Sequence, residues 1–234
     1  VIYLDWPGNS GSTDPYWDYV VLLMHGQTMT DSSSYHHTMT AHGSAAVSST
    51  ESKFGGSSLF FPNTGGNYIS TPGAAEFYIG NQPFTIEAHV RTDTVEPSFG
   101  TVMAQWSLSG RLVWVLGQTV SRKVFFYYTP ASSGTPVFSA ETATGVLPIS
   151  DWAHLAVTSD STHLRIFVDG VVQYETAIAL DLINGATQKV TVGGVDYDTN
   201  GDWDDGYIDE ARITIGVARY TAAFTPPTAA FPDG

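Results

Sequence analysis

Carboxylates and amides crowd one short stretch of this 234-residue chain. From Asp196 it reads Asp-Tyr-Asp-Thr-Asn-Gly-Asp-Trp-Asp-Asp, with side-chain oxygens at Asp196, Asp198, Asn200, Asp202 and Asp204 and a turn-permitting Gly201 among them. Oxygen donors at alternate positions are what a hard cation such as Ca2+ requires. The first half follows the Asp-x-Asp-x-Asn-Gly order of a helix-flanked calcium loop. Its closing Glu is missing, because Tyr207 stands at the twelfth position. The same residues also fit a solvated acidic hairpin loop that holds no ion. Tyr197 and Trp203 sit inside this polar loop, where they are expected to reach solvent and contact a ligand.

The next residues, Tyr207-Ile-Asp-Glu-Ala-Arg-Ile, turn apolar and read as a strand. Strict alternation places Asp209 on the same face as Ala211, Ile213 and Ile215. A carboxylate on an apolar face needs a partner, since an unpaired buried charge is costly. Asp209 therefore accepts backbone amides, pairs with an arginine such as Arg212, or holds a cation.

Those residues need a scaffold, and the rest of the chain supplies strands. Tyr19–Met24 is a continuous apolar run that fits a strand covered on both faces. Phe84-Thr-Ile-Glu-Ala-His-Val-Arg-Thr alternates cleanly, with Phe84, Ile86, Ala88 and Val90 on one face and Thr85, Glu87, His89 and Arg91 on the other. Further short runs follow at Thr101–Trp106, Arg111–Leu116, Lys123–Thr129 and Trp152–Thr158. Asp169-Gly170 between two apolar runs is a strong hairpin signal. No segment carries a convincing helical period. Many short strands between turn signals predict an all-β, two-sheet antiparallel sandwich or jelly roll, which hides apolar faces and limits exposed edges. Residues 1–18, rich in Pro, Gly, Ser and Asp, read as a tether, and 19–234 as one domain.

Composition narrows the partners. With 9 basic and 23 acidic residues the net charge is −14, which argues against nucleic acid and favours cations. No apolar run approaches the roughly 18 residues of a membrane span. The absence of cysteine removes disulfides and thiolate metal sites.

Several segments occur in the order of a known family: Val20-Val-Leu-Leu-Met-His-Gly, Asp31-Ser-Ser, Lys53-Phe-Gly-Gly-Ser-Ser-Leu-Phe-Phe, Phe84-Thr-Ile-Glu-Ala, Trp152-Ala-His-Leu-Ala-Val-Thr, Leu164-Arg-Ile-Phe-Val-Asp-Gly and Gly206-Tyr-Ile-Asp-Glu-Ala-Arg-Ile. The chain resembles a laminin-G-like jelly roll of the concanavalin A-like lectin/glucanase superfamily. Its ends, Asp14-Pro-Tyr-Trp-Asp-Tyr-Val and Gly216-Val-Ala-Arg-Tyr-Thr-Ala-Ala-Phe-Thr-Pro-Pro, resemble versions found in phage and prophage virion proteins, often tail or fibre modules. The resemblance implies a structural Ca2+ held by Asp209, the carbonyl of His25 or a neighbour, and the turn at Gly55-Gly56. Asp31 is family-typical and is expected to make an Asx turn rather than to bind metal.

The glucanases of the superfamily use a Glu-x-Asp-x-x-Glu strand that sets two carboxylates roughly 5 Å apart. This chain has no such segment, nor a Gly-x-Ser-x-Gly nucleophile elbow. Glu87 and His89 share a face but lack a second carboxylate, and His154 reads as packed rather than catalytic. Together these readings predict a non-catalytic module of a virion, secreted or cell-surface protein, binding glycan or a bacterial surface component. The alternative is a virion spacer that binds only other virion subunits. The resemblance to virion fibres also raises homo-oligomers.

Overall fold

A computed structural model describes residues 13–94, 99–106, 111–196, 203 and 205–234. In chain order the strands are β1 (Val20–Met24), β2 (Thr40–His42), β3 (Ala46–Ser48), β4 (Ser58–Phe61), β5 (Tyr68–Thr71), β6 (Phe84–Thr92) and β7 (Phe99–Trp106). They continue as β8 (Leu112–Thr119), β9 (Val124–Tyr128), β10 (Ala153–Ser159), β11 (His163–Val168), β12 (Val171–Ala177), β13 (Val190–Val192) and β14 (Gly206–Ile215). An eight-stranded sheet runs β12-β11-β10-β6-β14-β4-β3, with β1 also paired to β14, and a six-stranded sheet runs β2-β5-β13-β7-β8-β9. All paired strands are antiparallel. The two-sheet sandwich expected from the turn-punctuated runs is what forms, and Asp169-Gly170 closes the β11–β12 hairpin as its dipeptide predicts.

The core lies between the sheets. Leu22, Met24, Ile86, Ala88 and Ile213 from one side meet Met103, Trp114, Leu116 and Phe126 from the other. The alternation read in Phe84–Thr92 holds throughout, because every second residue (Phe84, Ile86, Ala88, Val90) enters this core. Thr85, Glu87 and His89 on the opposite face are buried as well. A third layer covers them: the C-terminal segment lays Tyr220, Phe224 and Phe231 across the outer face of the eight-stranded sheet.

Residues 13–18, read as tether, belong to this layer. Asp14 is buried against Arg212 (3.0 Å) and Arg219 (2.7 Å), so the N-terminal segment is pinned to both β14 and the C-terminal segment. Residues 1–12 lie outside the described residues.

Strand β14 organises the eight-stranded sheet. On one side it pairs with β6 along its length. On the other, β4 pairs with Gly206–Ile208 and β1 takes over from Ala211 to Thr214. The changeover falls on a bulge in which Glu210, at φ 55°, adds a residue between Asp209 and Arg212. An added residue reverses which way each following side chain points. Asp209 therefore pairs across from His89 on the outer face, while Ile208, Ala211 and Ile213 face the core. The expected sharing of a face between Asp209 and Ala211, Ile213 and Ile215 is thus corrected.

Candidate functional site

The seam between β1 and β4 leaves β14 flanked at Asp209 by two turns instead of a strand. One is His25-Gly26-Gln27, leaving β1; the other is residues 53–57, entering β4. Oδ2 of Asp209 accepts hydrogen bonds from the backbone amides of Lys53 (2.9 Å) and Phe54 (3.0 Å). Oδ1 is buried and has no hydrogen-bond partner among the described residues. Burial pushes this carboxyl up to about 7, with the Glu210 carboxylate adding to the effect and the backbone amides of Phe54, Lys53 and Glu210 opposing it. An ionised carboxylate with one oxygen unsatisfied is costly in such a place.

Neutral oxygens gather beside it. The carbonyls of His25 (2.8 Å), Phe54 (3.4 Å) and Ser57 (3.4 Å) all accept from Nε2 of Gln27. Gly26 keeps the space open, since a Cβ there would stand 2.8 Å from Oδ1 of Asp209 and 3.4 Å from the carbonyl of Ser57. One carboxylate oxygen, three carbonyls and an amide side chain able to present its own oxygen form an all-oxygen donor set of the kind Ca2+ takes. Of the residues that the resemblance implied, Asp209 and the His25 carbonyl are here; the turn at Gly55-Gly56 contributes through its flanking carbonyls, Phe54 and Ser57, and Gln27 joins them. Gln27 carried no signal in the sequence; only the meeting of the two turns makes it a member.

The end of β1 is tied down separately. His25 contacts Glu210 (2.9 Å) and Asp233 (2.9 Å), and these carboxylates outweigh the effect of burial to raise the imidazole to about 9. Asp31 makes the turn expected of it. Its Oδ1 accepts the amides of Ser33 (2.9 Å) and Leu23 (3.0 Å), and its Oδ2 the hydroxyl of Ser33 and the amide of His37. All of its acceptor capacity is directed to the protein.

The acidic loop is placed at its two ends. Asp196 accepts from the Tyr68 hydroxyl (2.6 Å) and pairs with Lys189 (2.9 Å), so both of its oxygens tie the loop to the six-stranded sheet. Tyr197, Asp198, Asn200, Asp202 and Asp204 lie outside the described residues. Trp203 corrects the sequence expectation: instead of reaching solvent it is 0% exposed and belongs to the main core. Its backbone amide donates to Gly193 (2.7 Å) and its indole to the carbonyl of Arg91 (3.0 Å). The ring folds back over the first residue of β14, and Gly206 permits this because a Cβ there would collide with the indole.

Glu87 and His154 form a further carboxylate–imidazole contact, at 3.1 Å. Both are sealed, at 0% and 1% exposure, beneath the C-terminal segment. Arg212 and Tyr220 also bind Glu87, at 2.8 and 2.9 Å. Burial alone would raise the Glu87 carboxyl, but Arg212, His154 and Arg219 outweigh it and hold the group well below the usual range. This cluster fastens strands to the terminal segments and offers no path for a substrate.

Pockets open elsewhere. A groove of about 580 Å3 is lined by Lys53, Phe54, Asp169, Thr225, Pro226, Pro227 and Thr228. A cavity of about 310 Å3 on the other side involves Arg111, Leu112, Thr129, Gly134, Pro136 and Ile183. The groove was not legible in the sequence, because it draws on three segments far apart in the chain.

Among solved structures, the binding domain of botulinum neurotoxin serotype G superposes with a TM-score of 0.62 at 14% identity, over 86% of this chain and 48% of that one. The binding domain of paraclostridial mosquitocidal protein 1 gives 0.66 at 10% identity, over 90% and 50%. A structure of botulinum neurotoxin type C, whose cell entry depends on interaction with two ganglioside molecules, gives 0.60 at 13% identity, over 85% and 48%. This chain therefore spans about half the length of these structures. No curated protein sequence matches it. Residues 63–217 match the laminin G family described as the concanavalin A-like lectin/glucanases superfamily, and with more than half of its length so matched the chain belongs to that family.

Proposed function

We propose that the chain is a non-catalytic recognition module that binds glycan or another component of a cell surface. The observation that carries this reading is the use of the same fold in toxin binding domains, one of them from a toxin whose cell entry depends on gangliosides. The sealed Glu87–His154 contact supports the non-catalytic part, since a carboxylate that no substrate can reach cannot serve as acid or base. Ca2+ is the proposed structural ion, held by Asp209 Oδ1 with the carbonyls of His25, Phe54 and Ser57 and the Gln27 amide. Its role is to neutralise the carboxylate and lock the two turns at the β1–β4 seam. The virion setting, with other virion proteins as partners, rests on the resemblance of the end segments. Those segments pack on each other through Asp14 and Arg219.

A broad glycan panel probed with the purified chain, in calcium and in chelator, tests the reading. Saturable binding that a free glycan competes away is expected. Absence of binding in both conditions would replace it with the spacer role.

A further inference from the structure

The structure places cations with unusual economy. Of 9 basic residues, Arg91, Lys123, Arg165, Lys189, Arg212 and Arg219 each pair with a carboxylate. Arg122 donates to the carbonyl of Leu147 at 2.8 Å. Lys53 and Arg111 pair with no carboxylate among the described residues, although acidic side chains outnumber basic ones by 23 to 9. Each of these two lines one of the two pockets. Only the Lys53 groove combines its cation with a carboxylate and an aromatic ring.

We propose that this groove binds a carboxylate-bearing sugar unit, such as a uronic or sialic acid residue of a glycan. The proposal rests on the glycan-recognition reading above and gives it a location. Lys53 is exposed, with its ammonium 6.0 Å from the centroid of the Phe54 ring, and meets the sugar carboxylate. Phe54, Pro226 and Pro227 supply a half-buried apolar platform for the C–H face of a sugar ring. Asp169, at the exposed tip of the β11–β12 hairpin, uses Oδ1 to accept the amide of His154 (2.9 Å), leaving Oδ2 for ring hydroxyls. The volume, about 580 Å3, lies within the range of small-ligand sites. The wall that carries Lys53 and Phe54 is held by Asp209, which accepts the backbone amides of both. An ion at Asp209 would therefore stiffen the groove without touching its ligand.

The test titrates the whole chain with methyl glucuronide, the methyl glycoside of N-acetylneuraminic acid and neutral methyl glucoside, in calcium and in chelator, by NMR chemical-shift mapping. At least one acidic probe is expected to bind more tightly than methyl glucoside, shifting residues 53–54, 169 and 225–228. Lys53→Gln should lose about tenfold in affinity for that acid, the worth of one charge-assisted hydrogen bond, and Lys53→Arg should restore it. Phe54→Ala should weaken acidic and neutral probes alike. Arg111→Gln, at the other cavity, should change nothing. Two outcomes overturn the site while leaving glycan recognition intact: acidic and neutral sugars bind equally, or the preference survives Lys53→Gln. If no sugar binds in either condition, the site and the functional reading fall together.

Discussion

Asp209 is the residue on which the local chemistry turns. Its carboxyl is raised to about 7 by burial, one oxygen is satisfied by two amides, and the other is buried beside Gly26 with no hydrogen-bond partner among the described residues. A cation there removes the cost of the unsatisfied oxygen; without one, the neutral acid is the cheaper form. Asp209→Asn is therefore expected to lower the melting temperature markedly in calcium and to matter far less in chelator, by calorimetry under both conditions. Equal losses would remove the metal from the account. Trp203 gives a prediction of the opposite kind. As a core ring beneath β14, its replacement by Ala should cost about 3–5 kcal/mol in chemical denaturation, whereas a solvent-facing ring would cost almost nothing. Local composition misled here. The residues around Trp203 are acidic and turn-forming, and the close approach allowed by Gly206, with partners at Gly193 and Arg91 that lie well apart in the chain, brings the indole inside.

Strands β6 and β14 show how much of the fold the amino-acid order reveals. β6 has no bulge, so its period of two reads directly into a core face and a covered face. β14 has the same apolar content, but the residue added at Glu210 breaks the register, and a non-glycine residue at positive φ leaves no mark in the sequence. The same bulge sets Asp209 outward at the seam between β1 and β4 and Arg212 onto Glu87 in the buried ionic cluster. In that cluster Glu87 from β6 faces His154 from β10, Arg212 from β14, and Arg219 and Tyr220 from the C-terminal segment, with Asp14 bridging the two arginines. Because the Glu87 carboxyl is held below its ordinary value of 4.5, its stabilisation is present above that pH and is lost as the pH falls through the acid range below it. Glu87→Gln should accordingly cost about 3–5 kcal/mol near neutrality, as breaking a buried pair does, and should flatten the dependence of stability on pH below 4.5. An unchanged acid slope would mean that other carboxylates govern acid unfolding.

At the scale of the molecule, two sheets provide the core and the terminal segments provide a third layer that seals the ionic cluster and shapes one wall of the Lys53 groove. The sandwich was legible because short apolar runs and turn residues recur along the whole chain. The groove was not, since Lys53, Asp169 and Pro226 become neighbours only when the C-terminal segment crosses the β11–β12 turn, where the amide of Phe224 donates to the carbonyl of Gly170 (3.0 Å). Under the proposed recognition role, the turn held by Asp209 carries the wall of the groove in which Lys53 stands without a carboxylate partner among the described residues. The most direct measurement is binding of the fluorescently labelled chain to bacterial cells of several envelope types, in calcium and with soluble glycan as competitor. Saturable binding to a subset of cells, displaced by a cognate glycan, is expected. Uniform absence of binding, or binding that no glycan displaces, would contradict the recognition role.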